Sequence, residues 1–312
     1  MKNNLLKLIV TRLLTGIGVL WGAATLTFLM MHLSAGDIAI AILGGPDALP
    51  SPEVLARVRQ EYGFDKPLLV QYLEYLGHLV RLDFGESYRL RIPVTQAIAV
   101  QLPATARLAL VAGVTAISSS LVIATLTARR APWLKSLISG VELLVSSAPG
   151  FVIGLVLLYV FSFKLGLLPA AGYQGWRSLI LPTLTLCVPM VVILSQVLRQ
   201  ELEDILEQPF ITTARSRGLS ETGVRYVHAL RHALIPLVTL SGFIFANLLG
   251  GTVIIESLYS QQGIGRLMSD SANSKDVPIV LAITLMAAAT YVVVHLVVDI
   301  FNGIIDPRHR PS

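Results

Sequence analysis

Residues 13–36 read LLTGIGVLWGAATLTFLMMHLSAG, a run of 24 residues without Asp, Glu, Lys or Arg. Five more uncharged runs of 21 to 23 residues follow, at 108–128, 143–163, 178–198, 233–255 and 277–298. A helix needs roughly 20 mostly apolar residues to cross about 30 Å of hydrocarbon. Because a soluble domain has no use for six such runs, the sequence predicts an all-α polytopic membrane protein with six transmembrane helices.

The composition agrees with a membrane protein. Hydrophobic residues make up 54% of the chain and charged residues only 14%, whereas about a quarter of the residues are charged in soluble domains. The net charge of +5 is explained by lysines and arginines in loops, so the sequence does not predict nucleic-acid binding. The single cysteine, Cys187, lies in an apolar run and excludes an intrachain disulfide, which leaves the redox compartment open.

The positions of the basic residues predict the orientation in the membrane. With a cytoplasmic N-terminus and six alternating helices, the cytoplasmic segments hold thirteen Lys and Arg residues, and the two short outer loops hold four. The long outer loop holds seven more, but long loops carry less weight in the positive-inside rule. Both termini are therefore expected in the cytoplasm. The first apolar run is too long for a signal peptide, so we expect an uncleaved first helix.

The polar segment over residues 37–101 predicts a helical extracytoplasmic insertion. Ser51 and Pro52 suit the start of a helix and Gly63 its end, and residues 68–80 form a second, amphipathic run. This segment is either a cap packed on the outer ends of the helices or a docking surface for a soluble partner, and the two roles are compatible. Pro103 is expected to begin the second transmembrane helix.

Prolines and small residues mark the third and fourth predicted spans. The third contains Pro149 and a pair of glycines four residues apart, Gly150 and Gly154, a spacing that lets helix backbones approach closely in lipid. Pro182 and Pro189 are expected to interrupt the fourth span.

The longest inner loop, residues 199–232, has signals of internal order. Pro209 suits a helix start and Gly218 a helix end, and Ser220 can cap a second helix from Glu221 to about Arg231. Loops of this length in compact proteins are usually functional. The segment therefore predicts a hairpin of two short helices on the cytoplasmic face.

One side of the predicted hairpin has features of a docking element. Phe210, Ala214 and Gly218 are spaced by four residues and share a face, and Arg215 and Arg217 flank this small-residue patch. Such a patch suits insertion into the groove of a partner protein. The alternative is a solvated loop without a partner.

The hairpin resembles a known signature. Thr212-Thr213-Ala214-x-x-x-Gly218 is similar to the EAA loop of binding-protein-dependent ABC importers, with Thr212 in place of its Glu and Thr213 in place of its first Ala. The longer string FITTARSRGL, residues 210–219, resembles the variant of the peptide/nickel/opine permease branch. Further similar stretches occur in the right order along the chain, at 83–87, 93–105, 250–256, 263–266 and 299–308.

The resemblance implies a half-channel that works with other subunits in a bacterial or archaeal inner membrane. These are a second, related permease, two cytoplasmic ATPase subunits and an extracytoplasmic solute-binding protein. The sequence contains no Gly-Lys pair and hence no phosphate-binding P-loop, so ATP and Mg²⁺ would be bound by the ATPase, and this chain would be neither an enzyme nor the holder of a cofactor. The implied ATPase-coupling residues are Phe210, Thr212, Thr213, Ala214, Arg215, Arg217, Gly218 and Leu219.

The substrates implied by the branch are short peptides, or nickel and other metals, carried in some cases by an organic chelator. The string LPAAGYQGW, residues 168–176, looks closer to the nickel-type members and favours a metal or a metal chelate. An ion-coupled secondary transporter without an ATPase is the alternative function. An intramembrane protease has no motif support.

Three polar residues in or near the spans are candidates for the substrate pathway. Glu142 and Glu256 lie near span ends, where plain solvation is the competing interpretation. Asn247 lies in the middle of the fifth span, where an interhelical hydrogen bond is the alternative role. His295 and Asp299, one turn apart, are expected to form an interhelical pair, and we expect no metal site.

Overall fold

The computed structural model describes residues 2–34, 38–43, 50–129 and 132–305. This part of the chain is helical, which confirms the predicted all-α class. Its α-helices are α1 (Lys2–Ser34), α2 (Ile38–Ile42), α3 (Pro52–Glu61), α4 (Leu68–Val80), α5 (Val94–Thr127), α6 (Pro132–Ser147), α7 (Gly150–Leu157), α8 (Ile180–Ile205), α9 (Pro209–Ser216), α10 (Glu221–Gly223), α11 (Leu230–Leu258), α12 (Ile264–Asn273) and α13 (Val277–Ile305). Short π-helical segments lie at Leu158–Lys164 and Val224–Ala229, and a 3₁₀ turn at Arg177–Leu179.

Several of these helices are long and apolar enough to cross a membrane. Four candidate spans lie within the described residues, namely Val10–Met30, Val94–Thr127, Gly175–Ile205 and Val277–Ile300. A bent pair, Trp133–Ser147 with Gly150–Lys164, would make a fifth. The fifth predicted run, residues 233–255, lies inside α11. The structure therefore supports a multi-spanning protein, and the count of six stays a prediction.

The third apolar run is not one straight helix. The chain breaks between α6 and α7 and bends by 102°. Pro149 adopts an extended backbone conformation, with ψ of 140°. It has no N–H for a helical hydrogen bond, and its ring disfavours helical geometry in the residue before it. The third apolar run is therefore a bent pair of helices, and its crossing of the membrane as one span stays a prediction.

The fourth apolar run, unlike the third, forms a continuous helix. We expected Pro182 and Pro189 to interrupt it, but α8 is continuous from Ile180 to Ile205. Pro182 lies in the first turn, where the missing N–H would have had no helical partner. Pro189 lies inside α8 and does not end it, as happens in membrane helices whose neighbours accommodate the lost hydrogen bond.

The insertion contains the two helices expected from its sequence. α3 follows Ser51, whose side chain accepts a hydrogen bond from the Val54 amide at 3.4 Å, and Gly63 follows with a left-handed φ of +69°. The insertion ends earlier than expected. α5 begins at Val94, not at Pro103, because the Pro93 carbonyl already accepts the first helical hydrogen bonds.

The described chain forms two compact units, and the prediction of a single permease domain stays a prediction. One unit contains Ala106–Gln261 and the chain from Val293 on. One of its cores is made by α5, α8, α9 and the start of α11. The buried members of this core, the hairpin core, are Ala124, Ala128, Leu194, Leu198, Leu202, Leu206, Ile211, Ala214, Val224, Ala229, Ala233 and Leu237.

A second core in the same unit joins α7, α8 and α11. The Tyr259 hydroxyl, just after α11, donates to the Gly154 carbonyl of α7 at 3.0 Å and lies 2.8 Å from the Thr185 hydroxyl of α8. Gly154 permits this approach, because a Cβ there would lie 2.7 Å from Leu258 Cδ2 and 2.8 Å from Thr185 Cγ2. The close packing expected of the glycine pair is thus present at Gly154, while a Cβ at Gly150 would meet nothing within 4 Å.

The other unit contains Leu6–Thr105 and Gln262–Val292. Asp276, just before α13, is buried and holds the loop between α4 and α5. Its carboxylate accepts from the Ser87 hydroxyl and from the Tyr88 amide at 3.1 Å. Nearby, the Thr105 hydroxyl accepts from the Ile264 amide at 2.8 Å. These bonds hold the loop before α5 at the start of α13, and the start of α12 at α5.

Candidate functional site

The predicted coupling loop begins with a well-defined helix. Gln208 is extended and Pro209 starts α9, where its missing N–H costs nothing. Gly218 then turns the chain with a φ of +83°, a conformation that glycine adopts without strain. The Ser220 hydroxyl accepts from the Gly223 amide at 3.2 Å and caps the next helical segment, as its sequence predicted.

The boundaries of the loop differ from the prediction. α8 continues past Arg199 to Ile205, because the sequence RQELEDI is rich in good helix formers. The second arm is also not a separate helix that ends near Arg231. It passes from α10 through a π-helical segment straight into α11. The hairpin is therefore one short helix, α9, set between the ends of two long helices.

One face of α9 is buried in its own unit. Ile211 is fully buried and Ala214 is 8% exposed, and both belong to the hairpin core. We expected Ala214 to share a partner-facing side with Phe210 and Gly218. Ala214 is instead mostly buried against the hairpin core in this chain, and its role in coupling stays a prediction.

A neighbouring face of α9, next to the buried one, is open to solvent in this chain. Phe210, Thr213 and Arg217 share it at helical spacing and are exposed, and we call these three residues the outer face of α9. Phe210 is 44% exposed, and its ring centre lies 5.4 Å from that of His232 in α11. The other exposed members of the predicted coupling set are Thr212, Gly218 and Leu219.

Polar contacts make the hairpin rigid. Arg215 Nε and Nη2 donate to the two carboxylate oxygens of Glu221, at 2.7 and 3.2 Å, across the turn. This hydrogen bond from Arg215 lowers the pKa of Glu221, and the same bond raises the pKa of Arg215. Arg225 Nη1 donates to the Thr125 carbonyl near the end of α5 at 2.9 Å. These bonds join α9 to α10, and join the π-helical segment that follows α10 to α5.

Charged residues at the end of α8 and just after it form an ion-pair ladder. Arg199 and Glu203 lie four residues apart on one face of α8, and Glu207 follows in the turn after this helix. Their partners lie at the end of α5 and along α6, and the pairs are Arg199–Glu142 at 2.6 Å, Glu203–Lys135 at 2.7 Å and Glu207–Arg129 at 3.1 Å. The ladder fixes the register of α6 against α8, directly before α9.

Sequence reasoning missed this ladder. The four-residue spacing of charges at the end of the fourth run was the available signal, but we assigned those residues to a loop. Nothing in the sequence alone shows which helix faces α8.

The pathway candidates do not form one group with the coupling residues. Glu142, in α6, is 4% exposed and also lies 3.3 Å from the Ser195 hydroxyl. Glu256, in α11, is fully buried. The interpretation that these carboxylates are simply solvated is therefore wrong. Asn247 lies in α11, and its side chain is outside the described part of the structure.

Residues 306–312, including part of the C-terminal stretch used in the resemblance, also lie outside the described part of the chain. Within the described residues, no group of three or more His, Cys, Asp or Glu side chains could hold a metal ion.

Two family models match most of the chain. The binding-protein-dependent transport system inner membrane component matches residues 120–311, a range that includes α9, the ion-pair ladder and the buried members of the hairpin core. The N-terminal model of the same transport system membrane component matches residues 5–109.

Full-length relatives agree with these models. A protein of Brucella abortus (strain 2308) named as a peptide transport system permease is 38% identical over 312 residues, which cover 97% of this chain and 98% of that protein. A glutathione transport system permease protein of Salmonella paratyphi A is 37% identical over 309 residues, covering 98% and 99%.

A solved structure has a similar fold. An amino acid ABC transporter, crystallised with histidines, aligns with a TM-score of 0.51 at 17% identity, over 69% of this chain and 94% of that one. At this identity the likeness concerns the fold alone. The two family models and the full-length relatives show the family, and the chain belongs to the inner membrane components of binding-protein-dependent transport systems, as an ABC-importer permease of the peptide family.

Proposed function

We propose that this chain is a translocation subunit of an ATP-driven importer of short peptides and that an ATPase drives it through the outer face of α9. The observation that carries the proposal is the asymmetry of α9. Ile211 and Ala214 are buried in the hairpin core, while Phe210, Thr213 and Arg217 are exposed on the adjoining face. An exposed helix face with an aromatic anchor and an arginine suits a groove in a partner protein.

The geometry suggests how motion would pass from the ATPase to the membrane helices. A push on α9 reaches α8 and α11 through the packed side chains of the hairpin core. The ion-pair ladder then carries the displacement of α8 to α6. Because these contacts are close-packed or charged, the elements move as a body, and a rigid-body rearrangement of this kind can open one side of a transporter and close the other.

Short peptides are the proposed substrate class. The names of the relatives from Brucella and Salmonella refer to peptide and glutathione transport, and glutathione is itself a short peptide. The similarity of residues 168–176 to nickel-type permeases is not supported by the names of these relatives. The names of the relatives therefore support peptides as the substrates.

The proposed assembly contains a second homologous permease, two cytoplasmic ATPase subunits and an extracytoplasmic solute-binding protein. We place both termini and α9 in the cytoplasm, on the basis of the positive charges. The chain itself lacks a P-loop and would take its energy from ATP bound by the ATPase. An ion-coupled transporter working alone gains no support from the family match.

Reconstitution tests this function. Vesicles containing the complete transporter, with its binding protein outside and ATP inside, should accumulate a labelled short peptide. Uptake should stop when ATP is replaced by a non-hydrolysable analogue and should persist when an uncoupler collapses ion gradients. Uptake that follows the ion gradient and ignores ATP would refute the proposal. Uptake of a nickel chelate but of no peptide would refute the substrate assignment alone.

A further inference from the structure

α4 in the extracytoplasmic insertion has three chemically distinct sides. Tyr72 and Tyr75 are partly buried on one side. Leu69, Leu73 and Val80 lie on the next side and are 69%, 59% and 85% exposed. The third side is polar and is formed by Gln71, Glu74 and His78. An exposed apolar side of this size on an ordered helix requires an explanation.

The first side of α4 packs against α1. The Tyr72 hydroxyl lies 2.6 Å from the Thr25 hydroxyl, and the ring of Phe28 lies 5.2 Å from that of Tyr72 and 5.6 Å from that of Tyr75. His32 Nε2 lies 3.1 Å from Gln71 Oε1. α4 is therefore fixed to the outer part of α1 by hydrogen bonds and aromatic contacts.

These contacts set the depth of α4. Thr25 and Phe28 lie inside the candidate span Val10–Met30. Thr25 precedes the end of that span by five residues, or about 7.5 Å along a helix axis. Helices that lie in a membrane interface bury their apolar side by roughly 5–10 Å. With the membrane boundary taken at the end of this candidate span, the contact with α1 places α4 at the depth where the headgroups meet the acyl chains.

The polar side of α4 has its own charged partners. Lys66 Nζ pairs with Glu74 at 2.6 Å, and His78 Nδ1 lies 2.9 Å from Asp83. The side chains of both pairs are between 44% and 58% exposed. Charged groups on one side and an apolar surface on another are the distribution expected of a helix lying in the plane of a membrane interface.

We infer that α4 is an interfacial helix whose apolar side, Leu69, Leu73 and Val80, contacts lipid acyl chains of the outer leaflet. α4 would then hold the outer end of α1 at a fixed height in the bilayer. A protein surface covering the same side is the competing occupant. Lipid is favoured because α1 exposes Leu26, Met30 and Leu33 in the same turns that contact α4, on a different face of the helix, as expected of a span surrounded by lipid. The inference does not depend on the identity of the substrate.

Spin labels at adjacent positions test this inference in the complete transporter. Leu73→Cys and Glu74→Cys are made separately in a Cys187→Ser background, labelled, and placed in nanodiscs of phosphatidylethanolamine and phosphatidylglycerol. The label at 73 should collide more often with oxygen, which concentrates in lipid, than with a water-soluble nickel chelate. The label at 74 should show the reverse, and it is the matched control.

Two results would overturn the inference. A label at 73 that prefers the nickel chelate, as the label at 74 does, would place this side of α4 in water. A label at 73 that neither reagent reaches would show that protein covers it. Val80→Cys provides a second position on the same side and should behave as position 73 does.

Discussion

Arg199 in α8 and Glu142 in α6 form a buried ion pair, with Arg199 Nη2 2.6 Å from Glu142 Oε2. Their side chains are 8% and 6% exposed. Burying a charge is costly unless a partner compensates for it. This pair therefore ties α6 to α8 strongly, at a point one helical turn from the exposed pairs of the ladder.

Breaking this pair from one side should destabilise the protein. Arg199→Ala leaves the Glu142 carboxylate buried without its partner and should cost ~3–5 kcal/mol. The double variant Glu142→Leu with Arg199→Met should recover most of that loss, because both charges are removed. Thermal unfolding of the purified assembly measures both effects. Lys135→Ala, at an exposed pair, is the control, with an expected cost of about 0–1 kcal/mol. Equal losses in Arg199→Ala and Lys135→Ala would contradict the importance given to burial.

Gly150 and Gly154, the two glycines of α7, should differ in their tolerance of a methyl group. Gly154→Ala places a Cβ 2.7 Å from Leu258 Cδ2 and 2.8 Å from Thr185 Cγ2, so α7 must move away from α8 and α11. Overpacking of this kind typically costs about 1–3 kcal/mol. Gly150→Ala, where a Cβ meets nothing within 4 Å, should leave the unfolding midpoint unchanged. If both variants unfold at the same temperature, the close packing around Gly154 is not what stabilises this region.

Charge, rather than bulk, should decide the effect of substitutions at Gly218. Its φ of +83° is tolerated by Asn and Asp better than by other side chains, and a Cβ there meets nothing within 4 Å. Gly218→Asn should therefore retain most peptide uptake. Gly218→Asp should insert into the membrane normally but lose peptide uptake, because the Asp carboxylate would be unpaired in an ATPase groove. Uptake and membrane abundance are compared for the two variants. Equal uptake in both would mean that Gly218 does not face the ATPase.

The pair between Arg215 and Glu221 should be insensitive to pH near neutrality. The pKa of Glu221 in the folded protein is lowered from 4.5 by the hydrogen bond from Arg215. The contribution of this ion pair to stability is therefore fully present above pH 4.5, the ordinary pKa of glutamate. This contribution is lost only as the pH falls through the lowered pKa of Glu221. Glu221→Gln should reduce ATP-driven uptake by the same factor at about pH 5.5 and about pH 8. A deficit confined to one of these conditions would show that another group controls the hairpin.

Much of this fold follows from local sequence signals. The apolar runs predict where the long helices lie, because the length of a span is set by the bilayer. Local capping is equally readable, since Ser51, Pro209, Gly218 and Ser220 act within one turn of their own position. These features depend on neighbours in sequence, which the sequence displays directly.

The remaining features depend on contacts between distant segments. Pro149 breaks its helix while Pro189 does not, so the presence of a proline does not by itself predict where a span is interrupted. The partnership of Arg199 with Glu142 requires knowing which faces of α6 and α8 meet. Ala214 was assigned to the partner-facing side because helical spacing shows which residues share a face, but not which face is buried.

Site-specific photo-crosslinking can detect the proposed contact between an ATPase and the outer face of α9. A photo-reactive residue is placed at Thr213 in the active, assembled transporter, and a control is placed at Tyr173, which is exposed in the predicted outer loop. Position 213 should form a covalent product with an ATPase subunit, and the yield of this product should change when ATP binds. Position 173 should form no product with an ATPase subunit. An active transporter in which position 213 reacts only with water would contradict the proposed contact.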